Sequence, residues 1–528
     1  MESAQSQRSV KVARSTLIVM GGLASAVIIG LVRQKVVAFQ FGTTGAMDAY
    51  TAANGIPELL FTMLAGGALA FAYIPIYTEL LNKEQRENAD KLVSNVLNTV
   101  FLLTVVAAMF LAVATPILIT APWGIAPNFP PEIQQLTIEL MRILLISTVI
   151  FAVSSILTGT LHAHQHFLLP AIAPSFYSVG IIFGAIVLEP SLGIYGLAWG
   201  AVIGALLHLL IQVPGIWRQR IRWRLDFGWN NPYLRRVAIL MAPRVLDLML
   251  ARASIDWINS NLGSGMGEGR VSSLRYAFQL MNTPWTLIGT AIGIAVFPTM
   301  ALLATRTDIR GLRNSLSGSI RAILTLSLPA AVGLIVLGRP VIQVLFEGGE
   351  FTAESTNLVY FALQFYAVAL ISQSVLEVVV RSFAAQQDTV TPLLISLLTT
   401  TINIGLAIYL SRPIIEGGLE HGGLALANGI AVGIEALIGL MILRKRWGGV
   451  NGKRILIDAG KAGVAAVLMG ASILAYNALV NPGPLGLLLG GVLIGGVVYF
   501  GTALLLGIEE IRTLPSALIR SFRQPQSA

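Results

Sequence analysis

The sequence predicts an all-α polytopic membrane protein with fourteen transmembrane helices. Three observations lead to this prediction: apolar runs of about 20 residues recur along the whole chain of 528 residues, charged residues make up only 12% of it, and its mean hydropathy is +0.76. A helix of about 20 apolar residues can cross a bilayer, and a typical soluble protein carries about 25% charged residues. A membrane β-barrel is excluded because its strands are about 10 residues long and alternate in polarity.

Short loops separate the predicted spans, and the charges of those loops orient the chain. Lys and Arg concentrate in the N-terminal segment, in alternate loops and in the C-terminal tail, whereas the intervening loops contain only Arg270, Arg339 and Arg412. Basic loops stay in the cytoplasm, so both termini are predicted to be cytoplasmic. The spans are placed at about 15–40, 47–80, 92–119, 136–160, 168–188, 193–216, 234–258, 271–298, 316–338, 355–380, 390–411, 422–443, 456–479 and 485–508.

Two halves of the chain repeat one another. Aligning Pro75 with Pro298 places GGALAFAYIP on GTAIGIAVFP, and GLA at 196–198 matches GLA at 423–425. A six-span unit used twice has an even number of spans, so both copies have the same orientation and form two parallel lobes. Two spans are extra, and a Gly-xxx-Gly pattern in the last one predicts close helix packing. The predicted domains are an N-terminal lobe (1–220), a C-terminal lobe (221–445) and spans 13 and 14 with the tail (446–528).

Span 7 carries four charged residues in the sequence PRVLDLMLARASIDW. Ionisable residues inside a membrane are costly and usually face a cavity or one another. Arg244 and Asp247 are spaced i,i+3, and Arg252 and Asp256 are spaced i,i+4, so each pair can meet on the helix surface. Two interpretations stay open: two structural ion pairs, or the charged wall of a cavity.

Other charged residues within spans have structural interpretations. Arg321 and Lys461 lie near the cytoplasmic ends of their spans, so their side chains are expected to extend to the headgroups. Glu139 and Arg142 are spaced i,i+3 near the outer end of span 4 and are expected to form an ion pair.

The sequence lacks the features of a catalytic site, and the protein is predicted not to be an enzyme. It contains no cysteine, which excludes thiolate catalysis and Cys-metal sites. A membrane-embedded glycosyltransferase or polymerase needs catalytic carboxylates on a substantial outer loop, and the outer loops at 120–135 and 339–354 are short. HAHQH (162–166) is a turn without nearby acids, and GSGMGEG (263–269) reads as a flexible connection. The net charge of +9 marks cytoplasmic loops rather than a nucleic-acid partner.

Five motifs are spread over both halves of the chain. In chain order they are FGTTGAMDAYTAANGIPELLFTMLAGGALAFAYIPI (41–76), SSLRYAFQLMNTP (272–284), VLFEGGEFT (344–352), RSFAAQQDTVTP (381–392) and GGLALA (422–427). Together they resemble the lipid II flippase family MurJ (MviN) of the MOP exporter superfamily. The resemblance covers both halves and implies transport of the undecaprenyl-pyrophosphate-linked disaccharide-pentapeptide of peptidoglycan synthesis, from the inner to the outer leaflet, by alternating access. It also implies a multi-pass protein of the bacterial cytoplasmic membrane that contributes to cell wall biogenesis and cell shape.

The resemblance implies a cationic cavity, but several cations of the family pattern are replaced here. Val27, Phe61 and Gln279 stand where the family commonly has Arg, and Phe278 stands where it has Asp. Arg275 lies one helical turn before Gln279 and therefore on the same helix face. We expect Arg275 to supply the missing charge, with the alternative that it extends to the outer headgroups. The predicted substrate-binding residues are Arg33, Asp48, Arg244, Arg252, Arg275 and Gln279.

The resemblance also implies coupling and partners. Asp256 and Asp388 resemble acidic positions that bind sodium in some family members, with the alternatives that Asp256 pairs with Arg252 and Asp388 caps span 11. No cofactor is expected beyond the membrane potential or a monovalent cation. The expected partners are the lipid-linked oligosaccharide and membrane lipid, with cell-wall synthesis proteins as further candidates. The alternative function is a flippase of the same superfamily for another lipid-linked oligosaccharide, or a small-molecule antiporter.

Overall fold

The computed structural model of the protein describes residues 21–22, 25–65 and 68–511, with the side chains of 64–71 and 242–255 outside that description. Within these residues every long element is an α-helix, and no β-strand is present. Apolar spans adopt this structure because a helix satisfies its own backbone hydrogen bonds, which lipid cannot do. The predicted all-α class is confirmed.

The helices of the first half are separated by short connections. They are α1 (25–41), α2 (Gly45–Ala65), α3 (Ala68–Asn82), α4 (Arg86–Thr120), α5 (Pro131–Ala163), α6 (Leu168–Leu192), α7 (Ile194–Arg218) and α8 (Pro232–Gly263). Both α2 and α3 fall within the second predicted span. Asn231 begins α8 by accepting a hydrogen bond from the Tyr233 N–H, and Pro232 occupies the first helical position.

The second half continues with long helices. They are α9 (Arg270–Thr305), α10 (Ile309–Leu345), α11 (Ala353–Ala385), α12 (Val390–Leu410), α13 (Glu420–Trp447), α14 (Gly452–Val480) and α15 (Pro484–Leu505). Asp308 caps α10 by accepting the Gly311 N–H at 2.9 Å, and Thr352 caps α11 at the Ser355 N–H. One π-helical turn at Thr286–Thr290 interrupts α9.

Eleven of the described helices, α4–α7 and α9–α15, are long and apolar enough to cross a membrane. They correspond to eleven of the fourteen predicted spans. The three others are α1, which is described only in part, the pair α2 and α3, and the charged helix α8. The polytopic class is therefore supported, and the exact count of fourteen stays a prediction.

The chain divides into two compact units. The first contains the described residues up to Gly269 together with Gly348–Phe351, and the second contains Arg270–Glu347 and the described residues from Thr352 onward. Helix α8 therefore belongs to the first unit by its contacts, whereas the repeat in the sequence begins a new lobe before it. The two units are defined by contacts in space, whereas the predicted lobes are defined by repeated sequence motifs. The predicted boundaries at 220 and 445 therefore stay predictions.

In the first unit, α5 packs against α2, α4 and α7, and α6 packs against α7. The α6–α7 contact is unusually close because glycines face each other across it. A Cβ atom added at Gly180 would lie 2.2 Å from the Cα of Gly204, and one added at Gly184 would lie 2.5 Å from the Cα of Gly200. Small residues of this kind allow helix backbones to touch in a membrane.

In the second unit, α11 packs against α9, α10 and α13, and the last two helices pack against α10. The predicted glycine face of the final span is confirmed as a packing surface. Gly491 and Gly495 are buried, and a Cβ atom at either position would lie 2.8 Å from a side chain, Leu337 of α10 and Ile473 of α14 respectively.

Candidate functional site

In the first unit, Arg33 lies over an aromatic wall. Its guanidinium is 5.9 Å from the centre of the Tyr177 ring, a distance at which a cation is attracted to the ring face. Tyr177 contacts Phe151 edge-on at 4.9 Å, and Phe151 contacts Phe61 at 4.5 Å. Phe61 stands where the family has arginine, so an aromatic contact replaces that cation here.

Asp48 is buried at the beginning of α2, where it binds the loop that follows α8 in the first unit. Its Oδ2 accepts the backbone N–H of Gly269 at 2.6 Å, and Glu268 accepts the N–H of Gly45 at 2.6 Å. Only 1% of Asp48 is exposed. The GSGMGEG connection is thus bound to α2 through both residues. These contacts give Asp48 a structural role, and its predicted substrate contact stays a prediction.

Helix α8 brings Asp256 to a small cleft of the first unit. Gly55, Ile56, Leu59, Ile125, Trp257 and Ser260 complete the lining of this cleft. The helix is fixed here because the Trp257 indole donates to the Trp123 carbonyl at 2.8 Å and Asn261 donates to the Pro122 carbonyl at 3.2 Å. The side chains of the predicted site residues Arg244 and Arg252 lie outside the described residues, so their roles and the Arg252–Asp256 pairing stay predictions.

In the second unit, Arg275 and Gln279 lie one turn apart on α9, and both are half-buried. Their neighbour Phe278 contacts Tyr366 edge-on at 5.6 Å, so the position of a family aspartate is again occupied by an aromatic contact. The π-helical turn of α9 begins at Thr286, seven residues after Gln279. Such turns are rare in proteins overall, and many of those that occur lie at functional sites. The ring of cations predicted from Arg33, Arg244, Arg252 and Arg275 draws on both units and stays a prediction.

Asp388 lies in the loop between α11 and α12 and already has partners in the second unit. It accepts the Thr391 N–H at 2.9 Å and the Thr391 hydroxyl at 2.6 Å, and it forms a 2.6 Å salt bridge with Arg446. Burial raises the pKa of this carboxyl, but the bonds from Thr391 and Arg446 outweigh it and lower the pKa to about 2. This is the capping role left open above. Among the described residues no group of three His, Cys, Asp or Glu could hold a metal ion.

Two hydrogen bonds from threonine to an embedded glutamate of the second unit escaped prediction, because each joins residues that are distant in sequence. Glu377 of α11 accepts the Thr290 hydroxyl of the π-helical turn at 3.3 Å and pairs with Arg381 at 3.1 Å. Glu435 of α13 accepts the Thr399 hydroxyl of α12 at 3.2 Å. Both acids are visible in the sequence as charges inside spans, but nothing in a single sequence identifies Thr290 or Thr399 as the donor.

The expectation that Arg321 extends to the headgroups is wrong. It is only 12% exposed and forms salt bridges with Asp458 at 3.0 Å, Glu510 at 2.8 Å and Glu509 at 3.6 Å. Lys461 lies 4.0 Å from Asp458, at the edge of the same cluster. The acids come from α14 and from the chain after α15, so the cluster fastens the last two helices to α10.

The expected Glu139–Arg142 ion pair does not form as a salt bridge. Arg142 donates to the Ala112 carbonyl at 3.0 Å, and Glu139 accepts from Gln135 and Tyr195. Arg142 thus bonds to α4, and Glu139 bonds to Tyr195 of α7 and to Gln135 of its own helix, so these hydrogen bonds replace the expected pair.

A family model described as lipid II flippase MurJ matches residues 37–493. The chain belongs to the lipid II flippase MurJ family. The lipid II flippase MurJ of Burkholderia cenocepacia is 29% identical over 443 residues, covering 82% of this chain and 84% of the relative. The probable lipid II flippase MurJ of Bdellovibrio bacteriovorus is 27% identical over 512 residues, covering 95% and 96%. The resemblance of the five motifs to the MurJ family is confirmed.

Solved structures agree on the fold. A lipid II flippase MurJ in an inward closed conformation has a TM-score of 0.76 at 23% identity, covering 92% of this chain and 98% of the other. An inward-facing multidrug resistance MATE transporter of the MOP superfamily has a TM-score of 0.68 at 16% identity, covering 81% and 96%. Both solved structures therefore share the fold of this chain.

Proposed function

We propose that this protein is a lipid II flippase of the bacterial cytoplasmic membrane, which carries the lipid-linked disaccharide-pentapeptide from the inner to the outer leaflet by alternating access. The observation that carries the proposal is the MurJ family match over residues 37–493. The relatives that match this chain over most of their length are named lipid II flippase or probable lipid II flippase.

The charges of the chain fit a pyrophosphate cargo. Arginine binds phosphate oxygens through charge-assisted, often bidentate hydrogen bonds, and Arg33 and Arg275 are half-buried on α1 and α9. Moving about two negative charges outward against an inside-negative potential releases roughly 4–5 kcal/mol per 100 mV. The membrane potential therefore has the sign and the size needed to drive outward movement of the pyrophosphate head.

The test is complementation of a strain depleted of its essential lipid II flippase. We expect this gene to restore growth and rod or coccal shape as the native gene does, at a matched membrane level of protein. Failure to restore growth at that level would contradict the proposal. An empty vector and the native gene are the two controls.

A second candidate is a flippase for another polyprenyl-linked oligosaccharide. The observation that favours it is the aromatic replacement of family charges, with Phe61 on Phe151 in the first unit and Phe278 on Tyr366 in the second. Fewer cations and more rings favour a cargo with more sugar and less charge. Complementation of an O-antigen flippase mutant, together with failure in the lipid II strain, would support this candidate.

The topology has its own prediction, with both termini in the cytoplasm. The chain contains no cysteine, so single cysteines can be introduced at exposed positions. Arg218→Cys lies at the end of α7, where the basic linker begins, and Ile415→Cys lies in the loop of Arg412, on the opposite side of the membrane in the predicted topology; 95% of Ile415 is exposed. We expect an impermeant maleimide to label position 415 in intact cells and position 218 only after permeabilisation. The reverse pattern would contradict the orientation.

Sodium coupling is a further expectation, carried by Asp256 and Asp388. We expect sodium chloride to raise the midpoint of thermal unfolding above that in choline chloride, and Asp256→Ala and Asp388→Ala to reduce the difference. Because Arg446 now neutralises Asp388, Arg446→Ala should increase the sodium effect. A sodium effect that persists unchanged in both aspartate variants would remove the site.

A further inference from the structure

The linker between α7 and α8 is held rigidly although it has no regular secondary structure. Residues 219–231 are neither helix nor strand. Its backbone is fastened to one surface of α4: Ser94 accepts the Arg224 N–H at 3.1 Å, Asn98 donates to the Arg224 and Asp226 carbonyls at 2.8 Å, and Thr99 donates to the Phe227 carbonyl at 3.1 Å. We call residues 217–231 the interfacial strap.

Further hydrogen bonds between side chains of α4 and the interfacial strap add to this attachment. Asn95 donates to the Asp226 carbonyl at 3.0 Å and accepts from Asn231 at 2.7 Å, while the Trp223 indole donates to Asn98 at 3.0 Å. Gly228 has φ of +57°, and a Cβ atom there would lie 2.1 Å from the Asn95 side chain. A loop that served only as a tether would not need this many bonds, so the strap presents its outer face in a defined geometry.

That outer face combines tryptophan with arginine. The exposed fractions are 77% for Trp217, 56% for Trp223 and 67% for Trp229. Arginine occupies every second position between them, and all four of these residues are exposed: Arg218, Arg220, Arg222 and Arg224. Within the described part of the chain, the first three of these arginines form no salt bridge, so no described carboxylate pairs with them.

The strap lies at the level where neighbouring helices change from polar to lipid-facing. On α4, the residue that follows the strap contacts is Val100, and Phe101 and Leu103 are then 46% and 57% exposed. On α8, exposed Arg235 and Arg236 are followed by Ile239, which is 61% exposed. Exposed apolar side chains on a membrane helix mark the hydrocarbon region, so the strap borders it. Tryptophan prefers this interfacial depth.

We propose that the interfacial strap is a docking surface for the headgroups of anionic membrane lipids. Unpaired arginines at a bilayer surface attract anionic lipid electrostatically, and the guanidinium group binds phosphate oxygens directly. The intervening tryptophans fix the depth of the strap against the apolar boundary. The orientation proposed above assigns this surface to the cytoplasmic leaflet. A protein or nucleic-acid partner is disfavoured because the same residues border the lipid-facing surface.

The experiment measures tryptophan quenching by brominated lipids in vesicles that contain the full-length protein. The strap signal is the difference between the wild-type protein and Trp217→Phe/Trp229→Phe, which leaves the Trp223–Asn98 bond intact. Two vesicle types have the same composition of phosphatidylcholine and phosphatidylglycerol. In the first type the phosphatidylcholine is brominated, and in the second the phosphatidylglycerol is brominated, at the same mole fraction of brominated lipid. We expect quenching of the strap signal to be at least about twofold greater with brominated phosphatidylglycerol.

The matched variants remove the same kind of charge at two places. Arg218→Ala/Arg220→Ala/Arg222→Ala should reduce the ratio of the two quenching values to one. Arg306→Ala/Arg310→Ala removes exposed arginines where α9 is followed by α10, a segment without tryptophan, and should leave the ratio unchanged. Added salt should lower the wild-type ratio. Equal quenching by both lipids in the wild-type protein would overturn the proposal, and so would a strap signal that neither lipid quenches, which would show that the strap does not contact the bilayer.

Discussion

Arg275→Ala is expected to abolish transport while the protein still reaches the membrane at the wild-type level. Arg275 is half-buried on α9 and lies one turn before Gln279, the position at which the MurJ family carries arginine. A hydrogen bond to a charged group contributes about 1.5–3 kcal/mol, so its loss weakens substrate binding about 10- to 150-fold. The side chain is long enough to recover most of the displacement of about 6 Å along the helix axis.

The compensating variant distinguishes a substrate contact from a membrane anchor. Arg275→Ala/Gln279→Arg restores the family arrangement and should recover part of the transport, measured by complementation at matched protein levels. Gln279→Arg alone is the control for the effect of the added charge. Normal transport by Arg275→Ala would show that Arg275 only anchors α9 at the interface, and it would remove Arg275 from the substrate site.

Arg321→Ala is expected to destabilise the second unit by about 3–5 kcal/mol, because it leaves buried carboxylates without their cation. Asp458 and Glu510 are each 13% exposed and lie 3.0 and 2.8 Å from the guanidinium. The cluster joins α10 to α14 and to the chain after α15, so the last two helices should separate first. The measurement is the midpoint of thermal unfolding in detergent, with protease sensitivity of the C-terminal helices as a second readout.

A matched control uses another arginine that binds one of the same acids. Arg454 lies 2.6 Å from Glu509, but the two side chains are 56% and 64% exposed. Exposed pairs contribute about 0–1 kcal/mol, so Arg454→Ala should have little effect. The triple variant Arg321→Met/Asp458→Asn/Glu510→Gln removes all three charges and should recover most of the lost stability. Equal shifts in Arg321→Ala and Arg454→Ala would contradict a buried cluster.

The sequence was sufficient for the class of fold because membrane helices are encoded locally, in runs of apolar residues. The same reasoning could not supply the partners of embedded charges. Arg321 near a span end fits the pattern of a side chain that reaches the headgroups. Only the folded chain reveals that Asp458 and Glu510, more than a hundred residues away in the sequence, lie beside it. Helix α8 is the opposite case, since its charges are plain in the sequence but lower its hydropathy below that of a typical span.

The candidate site was predictable only in part, and for a physical reason. The motifs identify the family, but a cavity is defined by side chains from several helices. Phe61 reads as a lost cation in the sequence, and the structure adds that it packs on Phe151 beside the Tyr177 ring under Arg33. Asp48 reads as a site residue, and the structure adds its bond to the Gly269 N–H. The interfacial strap was visible only as a basic linker, because its attachment to α4 depends on tertiary contacts.

The most direct test of the proposed function is transfer of lipid II between leaflets by the purified protein. Vesicles that contain labelled lipid II in both leaflets are treated with an impermeant reagent that modifies only the outer leaflet. With the wild-type protein and an inside-negative potential, we predict that the modified fraction rises beyond the outer-leaflet share, and that Arg275→Ala does not raise it. A modified fraction equal to that of protein-free vesicles, from protein that does move a different lipid-linked oligosaccharide, would contradict the assignment of lipid II as the substrate.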